Sequence, residues 1–190
     1  RHFRHPAILL LSTLMLSLAS PARAALVLVP AGSIWKYQDD GFDLGTVWRM
    51  PAYDDSAWES GPAELGFGDG DEQTVLNRAP AGVPLTTAYF RHTFSHTIAV
   101  HTQALNLRLL CDDGAVVYLN GVEVFRFNMP PGPIIYSTLA SAVQNPENVF
   151  VTATIPLDSL VAGDNVLAVE VHQVSVTSSD LSFDLGLDGL

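Results

Sequence analysis

The chain has 190 residues, with nine lysines and arginines against 20 aspartates and glutamates, a formal charge of −11. An acidic surface of this kind repels nucleic-acid phosphates and anionic membranes, whereas it suits divalent cations and neutral ligands. Cys111 is the single cysteine, which excludes an internal disulfide, so the fold must be held by its apolar core or by metal.

The first segment, "RHFRHPAILLLSTLMLSLASPARA", carries Arg1 and Arg4, an apolar run from Ala7 to Leu18, and the small-residue end Ala22-Arg23-Ala24. This is the pattern of a secretory leader with an A-x-A cleavage site. Its apolar run is shorter than the roughly 20 residues of a membrane span, so residues 1–24 predict export to a secreted or cell-surface location without an anchor. The absence of Met at position 1 makes the chain read as a piece of a longer one. Without Arg1, Arg4 and Arg23, six basic residues face 20 acidic ones, a formal charge of −14. Residues 25–32 read as a lead-in and 33–188 as one domain, long enough to bury a substantial core.

From there, runs of four to eight residues rich in Val, Leu, Phe and Tyr recur between Gly, Pro, Asn and Asp, and no amphipathic helical stretch exceeds two turns. The pattern predicts an all-β fold, a sandwich or barrel. Strands are expected near Ser33–Tyr37, Thr86–Ser95, Ala104–Cys111, Ala115–Leu119, Val122–Phe127, Val149–Ile155, Asn165–Gln173 and Ser182–Leu187. The run "LRLLCDD" places Cys111 in a strand as a buried, inert thiol. In "VYLNGVEV", Asn120-Gly121 supplies the positive φ angles of a type I′ hairpin turn. Asp158 caps a short turn through Leu160, and Gly163-Asp164-Asn165 reverses the chain. In "NVLAVEVHQ", Leu167, Val169 and Val171 alternate with Val166, Ala168, Glu170 and His172, which puts the first set on the core and Glu170 and His172 on a more polar face. The stretch from Asp39 to Pro84 is loop-rich, and a loop this long in a compact domain usually carries a site or a metal.

The ordered set "SIWKYQDDGFDLGTVWRMPAYDDSAWESGPAELGFGDGDE", "YFRHTFS", "LRLLCDDGAVVYLNGVEVFRFNMPPG", "NVLAVEVHQ" and "SSDLSFDLGL" resembles the galactose-binding-like jelly-roll modules of secreted bacterial proteins. It is similar to the sugar-binding domain of family-two glycoside hydrolases of the β-galactosidase type. The resemblance spans about Ser33 to Leu187 and implies an antiparallel β-sandwich of jelly-roll type. Members of that fold serve as carbohydrate-binding modules, spacers and companions to hydrolases, so the fold does not settle the function.

Three groups of residues are candidates for a site. In "GFGDGDEQ" the carboxylates of Asp69, Asp71 and Glu72 lie within four residues, separated by Gly, in a form that could curl around a hard cation wanting six to eight oxygens. The loop reads either as a solvated turn or as a calcium site, and the resemblance adds weight to a structural Ca2+. Trp48 and Arg49, with Tyr53 close behind, form either core or an exposed platform on which a sugar ring would stack while Arg49 takes hydroxyls. The expected ligand of that platform is a carbohydrate or cell-surface polysaccharide. Trp35 and Trp58 are expected in the core, and one carboxylate of Asp54 and Asp55 is expected to cap the turn before Trp58. His92 and His96 lie four apart on a strand, about 13 Å, too far for one metal ion, and read as surface residues.

No G-x-S-x-G, H-E-x-x-H or Gly-rich phosphate loop is present, and no Cys nucleophile has a suitable His. The chain is therefore expected to be a non-catalytic extracellular accessory module with neighbouring domains in a larger secreted hydrolase or surface protein. The alternative is a structural or adhesive building block that packs against copies of itself.

Overall fold

A computed structural model describes residues 26–97, 102–144, 146 and 148–190. The expected leader lies outside the described residues. The strands are β1 (Leu26–Val29), β2 (Ile34–Gln38), β3 (Glu59–Pro62), β4 (Leu65–Phe67), β5 (Thr74–Val75), β6 (Thr87–His96), β7 (Leu105–Asp112), β8 (Gly114–Leu119), β9 (Val122–Phe127), β10 (Val151–Ile155), β11 (Gly163–His172) and β12 (Leu181–Gly189). They form two six-stranded sheets. The first runs β10-β7-β12-β4-β5, with β1 also on β12; the second runs β3-β2-β6-β11-β8-β9. Every pairing is antiparallel except β4 with β5. The expected antiparallel jelly-roll sandwich is the architecture observed.

All eight predicted strands are present to within two residues at each end. Four others lie where the sequence reads as lead-in or loop: β1, β3, β4 and β5. The N-terminal lead-in is therefore part of a sheet, because β12 is long enough to pair with β4 at Leu181–Phe183 and with β1 at Leu187–Gly189.

Between the sheets Trp35, Phe90 and Phe183 form the centre of the core. Trp35 meets Phe183 edge-on at 4.9 Å and Phe90 stacks on Phe183 at 4.1 Å. Cys111 lies in this core, where burial pushes the thiol pKa up and keeps it protonated. Leu167, Val169 and Val171 face it as expected. The opposite face of β11 departs from expectation, because Ala168, Glu170 and His172 are also buried. A second apolar cluster covers that face, in which Trp48, Met129, Ile134 and Ala140 from the long loops pack on Tyr89, Val116, Tyr118 and Ala168. The second sheet is thus covered on both faces.

The β8–β9 hairpin turns through Asn120 at φ 53° and Gly121 at φ 86°, the left-handed pair that a type I′ turn requires. Asn120 does more than turn the chain. Its Nδ2 donates to the Ser159 carbonyl at 2.7 Å and to Asn165 Oδ1 at 2.8 Å, and its Oδ1 accepts from Val166 N–H at 2.9 Å. The hairpin is thereby fastened to the turn that feeds β11. No helix among the described residues is long and apolar enough to cross a membrane.

Candidate functional site

The expected sugar platform is corrected by burial. Trp48 is fully buried, its ring 4.8 Å from Tyr89 and edge-on to Tyr118 at 5.9 Å, so neither face is open to a ligand. The reason is non-local: the short 3-10 turn Val47–Arg49 lays the indole on the outer face of the second sheet. Arg49 lies over the Tyr118 ring at 4.2 Å and reaches Glu170 Oε1 with Nη2 at 3.3 Å. Tyr53 is half-buried, edge-on to a half-buried Trp58 at 5.8 Å and beneath the Arg91 guanidinium at 5.4 Å. The three residues do come together, as parts of a cover.

Ion pairs and hydrogen bonds hold this cover down. Arg91, almost fully buried on β6, donates through Nε to Asp55 Oδ2 at 2.8 Å and through Nη1 to the carbonyls of Trp48 and Met50. Lys36 reaches the other Asp55 oxygen at 2.7 Å. Burial works to raise the Asp55 pKa, but these two bonded cations outweigh it and hold the carboxyl below the usual aspartate range. Asp54 takes the expected capping role, accepting from Ser56 N–H at 3.0 Å. Glu170, buried beneath the cover, accepts from the Tyr118 hydroxyl at 2.6 Å and has His172 Nε2 at 3.4 Å. His96 is buried, whereas it reads as a surface residue, and His92 packs its ring 5.1 Å from Trp35.

The acidic loop after β4 has a different character. Carboxylate oxygens of Glu64, Asp69 and Asp71 lie within 4.8 Å of one another. The structure brings together two of the three expected ligands and adds Glu64, which has no local signal in the sequence because it precedes the Gly-rich loop by a whole strand. Glu72 instead closes the loop, its two oxygens accepting from the N–H groups of Asp69 at 2.9 Å and Gly70 at 3.0 Å. Burial works to raise the Glu72 pKa, but these bonds outweigh it and hold the carboxyl below its ordinary value. Burial first, then mutual repulsion, pushes Glu64 and Asp69 up, against the Ser182 hydroxyl that bonds Asp69 at 3.1 Å. One oxygen of Glu64 is buried with no partner. The three are hard oxygen donors without an ion pair among the described residues, the donor type that hard cations take.

Beside this loop opens a pocket of about 320 Å3, lined by Asp112, Asp113, Val174, Thr177, Ser178 and Asp180 among others. The two share a wall, since Gly68 packs so closely on Asp180 that a Cβ there would lie 2.7 Å from its Cα. The Asp112-Asp113-Gly114 motif is the frame of this pocket. Asp113 accepts from Gln144 N–H at 3.0 Å and from Val174 N–H at 2.7 Å, tying together the two loops that wall it. Gly114 is required because a Cβ there would lie 2.8 Å from Met129 Sδ and 2.9 Å from the Asn128 carbonyl. Hydroxyls, carboxylates and small apolar side chains line the pocket, and it contains no aromatic floor.

No protein-family model matches the chain, and no curated protein matches it by sequence. Solved structures do match. The chain is similar to Bacteroides uniformis β-glucuronidase 2 at 16% identity and TM-score 0.56, over 88% of this chain and 18% of that one. It is similar to an uncultured Clostridium β-glucuronidase at 15% identity and TM-score 0.53, over 92% and 30%. The Ruminococcus gnavus β-glucuronidase follows at 12% identity and TM-score 0.54, over 90% and 31%. The chain thus spans less than a third of the length of each of these enzymes, and at such identities the likeness is one of fold. The fold is a two-sheet, mostly antiparallel β-sandwich, shared with a small part of these β-glucuronidase chains.

Proposed function

We propose that this chain is a non-catalytic extracellular accessory module of a larger hydrolase, and that it binds carbohydrate at the loop end of the sandwich. The observation that carries the reading is the coverage: nearly all of this chain corresponds to a minor part of each β-glucuronidase, leaving most of each enzyme outside the match. The pocket supports it. Its volume lies at the lower end of ligand sites, and its hydroxyls and carboxylates suit a polyhydroxylated, uncharged ligand. Without an aromatic floor, binding rests on hydrogen bonds to sugar hydroxyls and is weak. Calcium, held by Glu64, Asp69 and Asp71, would stiffen the wall at Asp180.

A glycan array with the exported protein tests this. The expected result is retention of at least one neutral polysaccharide. Thr177→Trp, which fills the pocket from an exposed position, should reduce that retention at least about tenfold without moving the melting temperature. Retention indifferent to Thr177→Trp and Asp180→Ala would overturn the site. A protein that retains no glycan and associates with itself would replace the reading with that of a building block.

A further inference from the structure

On the second sheet, at the edge of the cover, β2 and β6 pair only at Lys36–Gln38 with Tyr89–Arg91. Towards Ile34 they part, and the His92 ring takes the Ile34 carbonyl through Nδ1 at 2.8 Å. A carbonyl only accepts, so Nδ1 donates. The fork opens into a cleft of about 380 Å3 lined by Lys36, Asp55, Ser60, Arg91, His92 and Thr93 among others.

The cations of this cleft are matched differently from Arg49, Arg108 and Arg126. Arg49, Arg108 and Arg126 each face a carboxylate of their own, in Glu170, Asp188 and Glu123. Lys36 and Arg91 share one, Asp55. Among the side chains that line the cleft, two cations thus meet one carboxylate, within a chain of net charge −11, while Asp54 acts on Lys36 from outside the lining. Arg91 is wholly committed to holding the cover, whereas Lys36 is committed only in part: its side chain is 40% exposed, and Asp55 takes two of its three protons, one on Oδ1 and one on the backbone carbonyl. The exposed hydroxyls of Ser60 and Thr93 line the same opening.

We propose that this cleft is a second ligand site, which takes the oxyanion of an acidic saccharide, a uronate carboxylate or a sulfate ester. Lys36 makes the charged contact, and Ser60 and Thr93 meet hydroxyls of the same sugar unit. Polymeric phosphates and anionic vesicles are disfavoured, because the rest of the surface repels them. The saccharide part of the proposal rests on the carbohydrate reading above; the site and its charge do not.

The test is titration calorimetry of the whole protein at low salt with D-glucuronate, D-glucose 6-sulfate and D-glucose. At least one anionic sugar should bind and glucose should not, with affinity falling as salt is raised. The stronger of the two anions identifies the oxyanion. Lys36→Met should weaken binding about tenfold while Lys36→Arg stays within about threefold. Thr93→Trp, filling the cleft from an exposed position, should abolish binding with an unchanged melting temperature, and Thr177→Trp should leave it intact. Equal binding of glucose, or anion binding that survives both Lys36→Met and Thr93→Trp, overturns the proposal. Neutral-glycan retention without anion binding removes this site alone, and anion binding without neutral-glycan retention removes the loop-end site alone.

Discussion

Under the cover Asp55 stands between Lys36 and Arg91, and Glu170 is met by Arg49 and the Tyr118 hydroxyl. At the loop end Glu64, Asp69 and Asp71 face one another, and none has an ion pair among the described residues. The same residue type is driven in opposite directions by these settings: Asp55 is held below the usual carboxylate range and Asp69 is pushed up. Compensated carboxylates fasten structure, because removing one leaves a buried cation alone. Uncompensated ones weaken the fold, and a cation bound among them would add to stability.

The largest test of this contrast is at Trp48. If the cover is structure, Trp48→Ala should cost about 3–5 kcal/mol in chemical denaturation, the range for deleting a buried Trp. Any glycan retention should then be lost together with the fold and not before it.

At the loop end, free calcium a hundredfold above its dissociation constant should add about 2.7 kcal/mol. For a domain of this size that raises the melting temperature by about 5–10 °C, and chelator should reverse it. Asp69→Asn and Glu64→Gln should each remove most of the calcium response. Equal melting in calcium and chelator would dissolve the contrast between the two regions.

Asp55→Asn should cost about 2 kcal/mol at neutral pH, since it removes a charged acceptor from a buried guanidinium. The depressed folded pKa fixes the sign of the pH dependence. The stabilisation is present above the unfolded aspartate pKa and is lost as pH falls through the folded one, so the variant should show a flatter acid limb in urea titrations.

The smallest effect is the opposite one. Glu64 has a raised folded pKa, so its favourable contribution exists at acid pH and is lost as pH rises through that value. In chelator at neutral pH, Glu64→Gln should therefore raise the melting temperature, by about 1–2 °C after solvent screening. A decrease would mean that the buried oxygen has a partner.

What the sequence by itself determined is what lies within a few residues of chain. The Asn120-Gly121 turn follows from φ preference, the inward set Leu167, Val169 and Val171 from strand periodicity, and the buried Cys111 from its apolar neighbours. Strand existence is legible wherever a run is long enough to show a period. The four strands that the sequence does not announce are two to four residues long. Of these, "ESGP" and "LGF" carry no alternation, and they become strands because β2 and β12 supply partners. Gly66 exists for that pairing, since a Cβ there would lie 2.0 Å from the Leu181 carbonyl oxygen. Only tertiary structure decided which side chains meet. Trp48 is a core residue because β6, β8 and β11 bring Tyr89, Tyr118 and Ala168 beneath it from 41 to 120 positions away. Glu64 joins Asp69 and Asp71 because the chain folds back after β4. Periodicity and turn chemistry are local properties of the backbone, whereas burial and charge pairing depend on the distant surface that arrives opposite, and no local pattern encodes that surface.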